Sequence, residues 1–152
     1  GNAYWVGRTS ATLDVSCIEY LDSGNGCATY WGVVPFNLAP TPAWNLYFYH
    51  APFAGTTAGN VVLSVSASRV AATQSIPGAA LTNLMALVSL STQPAGVLAI
   101  STGVATNFDG TLAITSGDFL QMQVWRVGGN ANDTVNNSWD LYSVVMQTDV
   151  VT

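Results

Sequence analysis

The sequence contains no lysine, and charged residues make up only 7% of its 152 residues. Its cationic side chains are Arg8, Arg69 and Arg126, against eight aspartates and glutamates and a single histidine, His50. With a net charge of −5, the chain offers no cationic surface for the phosphates of nucleic acids. Soluble domains ordinarily devote about a quarter of their residues to charge. We therefore expect a surface that hydroxyl and amide side chains keep soluble, or that further subunits cover.

A long, purely apolar run is absent as well. The uncharged stretch from Val70 to Phe108 contains Pro77 and Pro94, and Thr, Ser, Gln and Asn recur throughout it. A hydrocarbon layer would not tolerate this composition over about 20 residues, so we predict no membrane partner. The chain begins at Gly1 and has no basic segment followed by an apolar one, so we expect either a processed chain or an excised fragment.

Cysteine is scarce, with Cys17 and Cys27 as the two in the chain. The residues between them end in Ser23-Gly24-Asn25-Gly26, a strong turn signal, so we expect a hairpin here. A disulfide across the hairpin would stabilise the fold by about 2–3 kcal/mol. Such a bridge suits a particle that persists outside cells, and two free buried thiols are the alternative.

Short runs of alternating apolar residues dominate what is present, and this is the pattern of β-strands. Clusters rich in Gly, Asn, Asp and Ser separate them. The clearest runs are Trp44 to His50, Val61 to Arg69, Phe119 to Trp125 and Trp139 to Thr148. About eight strands with few helical runs predict an all-β fold, an antiparallel β-sandwich of the jelly-roll type.

Alternation also predicts which side chains face the core. In the run from Val61 the expected core residues are Leu63, Val65 and Ala67, and the other side is a hydroxyl-rich outer face of Val62, Ser64, Ser66 and Ser68. In the run from Trp139 we expect Leu141 and Val145 on one face of the strand. The other face carries Tyr142, Val144 and Met146.

One segment has helical spacing, at Leu81, Leu84, Met85 and Val88. We favour irregular chain from Ile76 to Asn83 and a strand from Leu84 to Leu90, because the neighbouring runs Val97 to Ile100 and Leu112 to Ile114 also have strand patterns. We expect a single domain in two parts. Residues 1–39 form an N-terminal arm with the Cys17–Cys27 hairpin, and residues 40–152 form the jelly-roll body.

Short motifs in the second half resemble the β-sandwich domains of bacteriophage virion proteins. They are Gly59-Asn60-Val61 before Arg69, Gly117-Asp118-Phe119 leading to Arg126, and Asn132-Asp133-Thr134 before a closing strand. The resemblance covers roughly Pro40 to Val150 and implies a place on the virion surface, usually as a homotrimer. It implies further copies of the chain as partners, together with the major capsid protein or a fibre shaft.

Arg126 continues the inward face of its strand, so we expect it to need an anionic partner. Asp133, seven residues further on across a tight loop, or Asp140 would supply the charge. A structural ion pair between Arg126 and Asp133 would hold the loop between residues 127 and 138. In the alternative, Arg126 extends into solvent at the strand end, and Arg69 presents the same choice.

Groups that carry out catalysis are nearly absent. His50 has no neighbouring cysteine or serine motif, and nothing distinguishes an acid from a base among the turn-type aspartates Asp109, Asp118, Asp133 and Asp140. The acidic residues near the Gly24-Asn25-Gly26 turn lack the alternate-residue register of a calcium loop: Asp14, Glu19 and Asp22. We therefore predict no enzyme activity, no cofactor and no metal.

Aromatic residues are plentiful, with five tryptophans and six tyrosines, and we expect most of them in the core. Trp125 and Trp139 are the candidates for stacking on sugars. Tyr4, Trp5 and Trp31 are the candidates for contacting neighbouring subunits.

Three functions follow from these observations. The one we prefer is a capsid decoration or cement protein, because the chain is one compact unit without coiled-coil heptads or shaft repeats. The second is a head- or tail-fibre domain that recognises host carbohydrate. The third is a subunit of a non-viral extracellular filament. The first two place the chain on the virion surface.

Overall fold

The structure is a computed structural model that describes residues 3–9, 14–21, 26–40, 44–53, 58–70, 82–94, 96–104 and 114–151. The side chains of residues 3–9, 14–17, 82–88 and 104 are outside the description. The described residues form nine strands: β1 (Ala3–Thr9), β2 (Asp14–Tyr20), β3 (Cys27–Val33), β4 (Trp44–Pro52), β5 (Asn60–Val70), β6 (Thr82–Ser91), β7 (Ala99–Val104), β8 (Phe119–Arg126) and β9 (Trp139–Thr148). Among these residues there is no helix of the length and hydropathy that a membrane crossing requires.

The strands form two antiparallel sheets. The first sheet has the order β1-β2-β9-β4-β7, and the second has the order β3-β8-β5-β6. Without β1, the first sheet has the order β2-β9-β4-β7 and faces a second sheet of order β3-β8-β5-β6. These two four-stranded orders are the arrangement of an eight-stranded jelly roll. The predicted all-β jelly-roll sandwich is confirmed, with β1 as an additional edge strand.

The core lies between the sheets and consists of apolar side chains from both. Large, fully buried members come from β4, β5 and β9, among them Leu46, Phe48, Leu63 and Leu141. The hydroxyl of Tyr20 on β2 donates a hydrogen bond to the carbonyl oxygen of Val124 on β8 at 3.0 Å and so links the two sheets.

The described parts of residues 1–39 are built into both sheets. Strand β2 pairs with β9, and β3 pairs with β8 along its whole length. The predicted hairpin differs from the structure, because Cys17 in β2 and Cys27 in β3 lie in different sheets. Cys27 carries a free thiol, whose pKa is raised by burial. The predicted disulfide between Cys17 and Cys27 is therefore not formed in this structure.

Three strand details differ from the sequence pattern. Strand β6 contains the predicted run Leu84 to Leu90, whereas most of the predicted irregular segment lies outside the described residues. Strand β7 begins at Ala99 and not at Val97, because the amide of Val97 closes a turn on the carbonyl oxygen of Pro94 at 3.0 Å. Ile114 is not in a strand, and the rest of the predicted strand before it falls outside the described residues.

The alternation predicted for β5 and β9 needs correction. The outer-face Ser66 and Ser68 are buried, since β5 lies in the interior of its sheet between β8 and β6. On β9, a register irregularity in the pairing with β4 shifts the alternation after Leu141. Val145 is therefore 43% exposed instead of sharing the buried side of Leu141, while Val144 packs against the core.

Candidate functional site

The outward side of β8 carries two aromatic rings and two amides in a row. Strict alternation buries the inward residues of β8 and leaves Phe119, Gln121, Gln123 and Trp125 half-buried on the other side. We call these four residues, together with Trp31 of the adjacent strand β3, the β8 platform. Strands rise about 3.3 Å per residue, so the platform extends about 20 Å from Phe119 to Trp125.

The first end of the platform is a stacked aromatic pair. Trp31 is 47% exposed, and its ring lies 5.1 Å from that of Phe119 with an interplanar angle of 16°. In the β3–β8 register Trp31 stands opposite Gln121, which makes Phe119 its diagonal neighbour on the same face. From the sequence, Trp31 is a candidate for contacts with neighbouring subunits. The structure places it beside β8, on the same surface as the sugar candidate Trp125.

The second end of the platform is Trp125, next to a surface cavity of about 230 Å³. The cavity is lined by Ser64, Ser66, Trp125, Arg126 and Val127, although the side chain of Arg126 has no exposed surface. In the sheet, Trp125 stands between Ser64 of β5 and Cys27 of β3. A tryptophan ring, serine hydroxyls and an open cavity therefore meet at one point of the surface.

Amides and hydroxyls occupy the middle of the platform. Thr29 is exposed and stands opposite Gln123, and the hydroxyl of Ser68 lies 3.5 Å from Oε1 of Gln121. Oε1 of Gln123 has no hydrogen-bond partner among the described residues. The outward residues of β3, β5 and β8 include no charged side chain. The middle of the platform is thus polar but neutral.

A buried ion pair holds the Trp125 end. Nη2 and Nε of Arg126 donate to the two carboxylate oxygens of Asp133 at 2.7 and 3.1 Å, and both side chains are fully buried. Arg126 also donates to the carbonyl oxygens of Val135 and Asn137, the latter at 2.8 Å. The amide of Val62 donates to Asp133 at 3.0 Å. The pairing suggested by the sequence is present and fastens the loop after β8 to β5.

A second ion pair holds the Phe119 end. Nε of Arg69 lies 2.6 Å from Oδ2 of Asp118, immediately before β8. Asp118 also accepts hydrogen bonds from the amide and the hydroxyl of Thr115 at 2.7 and 2.9 Å. The Arg69 side chain is 29% exposed, so this pair is more accessible to solvent than the pair of Arg126 and Asp133. Each end of β8 is therefore fixed by one arginine and one aspartate.

Trp139, the other sugar candidate, lies in the core with no exposed surface. Its indole Nε1 donates to Nδ1 of His50 at 3.0 Å, and its ring packs 5.4 Å from that of Tyr20. The prediction that Trp139 contacts a glycan is wrong, because the side chain faces the opposite sheet and its hydrogen-bonding group is used inside the protein.

His50 is also buried, in an arrangement that does not activate a nucleophile. Because Nδ1 accepts a hydrogen bond from the indole of Trp139, the neutral ring carries its proton on Nε2, which lies 2.9 Å from the hydroxyl of Ser101. His50 therefore donates to Ser101 and is unable to take the serine proton. Burial lowers the pKa of His50 from 6.5 to about 4, which keeps the ring neutral.

The remaining site residues are spread over the fold. Asp118 and Asp133 are engaged in ion pairs at opposite ends of β8, and Glu19 stands opposite Asp140 in the first sheet. Within the described residues no three acidic, histidine or cysteine side chains cluster as metal ligands would. Five residues considered in the sequence analysis have side chains outside the description: Tyr4, Trp5, Asp14, Asp22 and Asp109.

A larger cavity adjoins the first end of the platform, where Trp31 forms part of its lining. It has a volume of about 270 Å³ and runs between the sheets, with Met122, Val144 and Met146 in its lining. Tyr30 is also in the lining, and its hydroxyl has no partner among the described residues. Apart from this hydroxyl and the ring of Trp31, the wall is mainly aliphatic. It lacks the converging polar groups of a sugar site, so the β8 platform is the better candidate.

Comparison with known proteins gives structural neighbours but no sequence relatives. No protein-family model matches the chain, and no curated protein sequence is significantly similar to it. A carbohydrate-binding module specific for non-crystalline cellulose, CBM28, superposes with a TM-score of 0.53 at 8% identity, covering 94% of this chain and 80% of that one. This likeness supports the β-sandwich fold; it does not bear on a phage origin.

Two further solved structures are more distant. A CBM4 module has a TM-score of 0.43 at 11% identity and covers 97% of this chain and 92% of its own. A CBM61 module in complex with β-1,4-galactotriose has a TM-score of 0.40 at 7% identity, with 88% and 71% covered.

Proposed function

We propose that this protein binds carbohydrate through the β8 platform and does so without catalysis. The observation that carries the proposal is the row of exposed and half-buried groups along β8: a stacked Trp31–Phe119 pair, two neutral amides, and Trp125 beside an open cavity. Ligand sites combine aromatic walls with a few placed polar groups, and this row has both.

Energetic considerations support a binding role for these rings. A tryptophan that is 47% exposed forgoes part of the stabilisation its burial would provide, and in a sandwich with an intact core the fold does not require it there. Aromatic side chains with a polar edge suit ligands that are apolar on one face and hydroxylated around the rim. Sugar rings have this character, and the amides and hydroxyls between the aromatic ends supply donors and acceptors for their hydroxyl groups.

The structural neighbours support the same proposal more weakly. The module with the TM-score of 0.53 is specific for non-crystalline cellulose, and this chain shares its sandwich fold. Folds are reused for many functions, so the proposal rests on the platform's residues and the neighbour is secondary. Non-catalytic binding agrees with the tautomer of His50, which leaves Ser101 without a base.

Among the functions considered from the sequence, these observations favour the carbohydrate-recognising fibre domain over the capsid decoration protein. The platform gives a glycan a defined place to bind, whereas capsid cementing does not account for it. The virion surface as location, the homotrimer, and the capsid protein or fibre shaft as partner stay predictions. A non-viral extracellular filament would carry the same platform equally well.

A glycan array probed with the purified chain tests the proposal. We expect binding to at least one glycan class, with the signal strongly reduced in Trp31→Ala and in Trp125→Ala. The matched control is Tyr47→Ala, which removes an aromatic ring from the outward side of the first sheet, where Tyr47 hydrogen-bonds Gln147 at 2.8 Å. Absence of binding by the native chain, or unaltered binding by both tryptophan variants, would refute the proposal.

A further inference from the structure

We infer that the ligand is an uncharged glycan chain of several sugar residues that lies along β8 and β3. This inference rests on the proposed function and adds the charge, the length and the direction of the ligand. Three features of the chain support it. They are the ion pairs that engage the arginines at the ends of β8, the distance between the two aromatic ends of the platform, and the neutral polar groups between those ends.

The two arginines at the ends of β8 are already paired with aspartates and are not available to an acidic glycan. Arg126 is fully buried against Asp133, and Arg69 is paired with Asp118. Arg8 belongs to β1, an edge strand of the other sheet. Proteins recognise carboxylate and sulfate groups with arginine or lysine, and the outward residues of β3, β5 and β8 include neither.

The net charge of the chain and its lack of a metal site among the described residues also favour an uncharged ligand. The net charge of −5 disfavours the approach of a polyanion. A divalent cation could bridge an acidic sugar to the protein, but the described residues contain no cluster of three metal-ligating side chains. Uronate-, sulfate- and sialic acid-containing glycans therefore lack a partner on the platform, and uncharged sugars do not need one.

The separation of the aromatic ends sets the length of the ligand. Phe119 and Trp125 are six residues apart on one strand, which corresponds to about 20 Å. A single sugar ring contacts one end at a time. A chain that reaches both ends gains the second contact intramolecularly, and such linkage raises affinity well beyond that of either contact alone.

The residues in the middle of the platform determine which chemical groups of the ligand can bind between its two aromatic ends. Gln121, Gln123 and Thr29 present neutral donors and acceptors, which match the hydroxyl groups of interior sugar residues. Oε1 of Gln123 is buried without a partner among the described residues, a state that costs free energy. Rotation of this amide toward a ligand hydroxyl would satisfy it, so binding at the middle is favoured for a chain that passes over Gln123.

Charge is tested with two derivatives of one backbone, and length with an oligosaccharide series. Where the glycan array identifies a glucan, the pair is hydroxyethylcellulose, which is neutral, and carboxymethylcellulose, which is anionic. For another class, the neutral polymer is compared with its partly carboxymethylated form. Titration calorimetry with one to six sugar residues of the same class measures the length dependence.

We expect affinity for the neutral polymer to exceed that for its anionic form by about ten-fold or more at low salt, where repulsion is unscreened. Affinity should rise by about ten-fold or more from the shortest oligosaccharides to those that reach both ends. Trp31→Ala and Trp125→Ala should each remove this rise and leave the weak binding of the shortest ligands nearly unchanged. Tyr47→Ala serves again as the control with native length dependence.

The outcomes separate the inference from the proposal beneath it. Equal or tighter binding of the anionic polymer, or single sugars that bind as tightly as the long chains, would overturn the inference while the platform remains a carbohydrate site. Failure of the native chain to bind any glycan would overturn the proposed function itself, and the inference with it.

Discussion

The two sides of β8 divide the work of folding and binding within a single strand. Its inward side chains, Leu120, Met122, Val124 and Arg126, are buried and connect the two sheets. Its outward side chains are half-buried rings and amides that form the β8 platform. Substitution on the inward side should therefore unfold the protein, whereas substitution on the outward side should leave it folded and remove its ligand. The following predictions test this division, beginning with the largest expected effect.

Arg126→Ala should have the largest effect, because it leaves the carboxylate of Asp133 buried without its partner. Losses of this kind lower the free energy of unfolding by about 3–5 kcal/mol. Urea denaturation followed by tryptophan fluorescence measures the change. The double variant Arg126→Met with Asp133→Leu removes both charges and should recover part of the loss, because the backbone groups of Val62, Val135 and Asn137 still lose their partners. A single variant that loses less than about 1 kcal/mol would show that the pair behaves as a solvated surface pair and would contradict the inward role of Arg126.

Acid should have the next largest effect, through His50 in the first sheet. The pKa of His50 is about 4 in the folded protein and near 6.5 when unfolded, so the unfolded chain binds the proton first. His50 therefore contributes stability above pH 6.5 that is lost as the pH falls toward 4, by about 2–3 kcal/mol.

The control for this pH effect is His50→Gln. A glutamine can accept from Trp139 and donate to Ser101 as the neutral histidine does, but it does not titrate. Denaturation curves from pH 7 to pH 4 should show a steeper loss for the native chain than for the variant. Parallel losses would mean that other groups cause the acid sensitivity.

Arg69→Ala should have a smaller effect than Arg126→Ala, and this difference sharpens the comparison between the ends of β8. The Arg69 side chain is 29% exposed, and Asp118 keeps two hydrogen bonds from Thr115 without it. Asp118 itself is only 7% exposed, so the pair is partly solvated, and we expect a loss of about 1 kcal/mol in urea denaturation, well below that of Arg126→Ala. A loss as large as that of Arg126→Ala would show that the degree of burial does not distinguish the two pairs.

Trp31→Ala should have the smallest effect on stability among these variants and a large effect on binding. Its ring is 47% exposed and contacts Phe119 on the outer surface, so we expect a loss of about 1 kcal/mol in the free energy of unfolding. Denaturation and glycan binding measured on the same preparation separate the two effects. A loss of several kcal/mol would place Trp31 among the residues that hold the fold.

The parts of this account that the sequence predicted are those that depend on local alternation. The regular pattern of β8 places Leu120 and Trp125 on opposite sides without knowledge of any partner strand. The same pattern points Arg126 inward, and a buried arginine requires an acid nearby, which Asp133 supplies seven residues later. These predictions use only residues that are close in the chain.

The parts that the sequence did not predict depend on pairing between distant strands. Trp31 joins Phe119 because β3 pairs with β8, a register that local patterns do not specify. The burial of Trp139 depends on His50, which lies 89 residues away and accepts a hydrogen bond from its indole N–H. The register irregularity between β4 and β9 reverses the expected sides of Val145 and Val144, since one extra residue shifts all later side chains to the other face.

The most direct test of the central claim is NMR observation of the tryptophan indole N–H signals during titration with a glycan selected from the array. Five tryptophans give five such signals. We expect the signals of Trp31 and Trp125 to shift with ligand concentration, while those of the buried Trp44 and Trp139 stay in place. Ligand-dependent shifts of Trp44 or Trp139, with Trp31 and Trp125 unmoved, would contradict binding on the β8 platform.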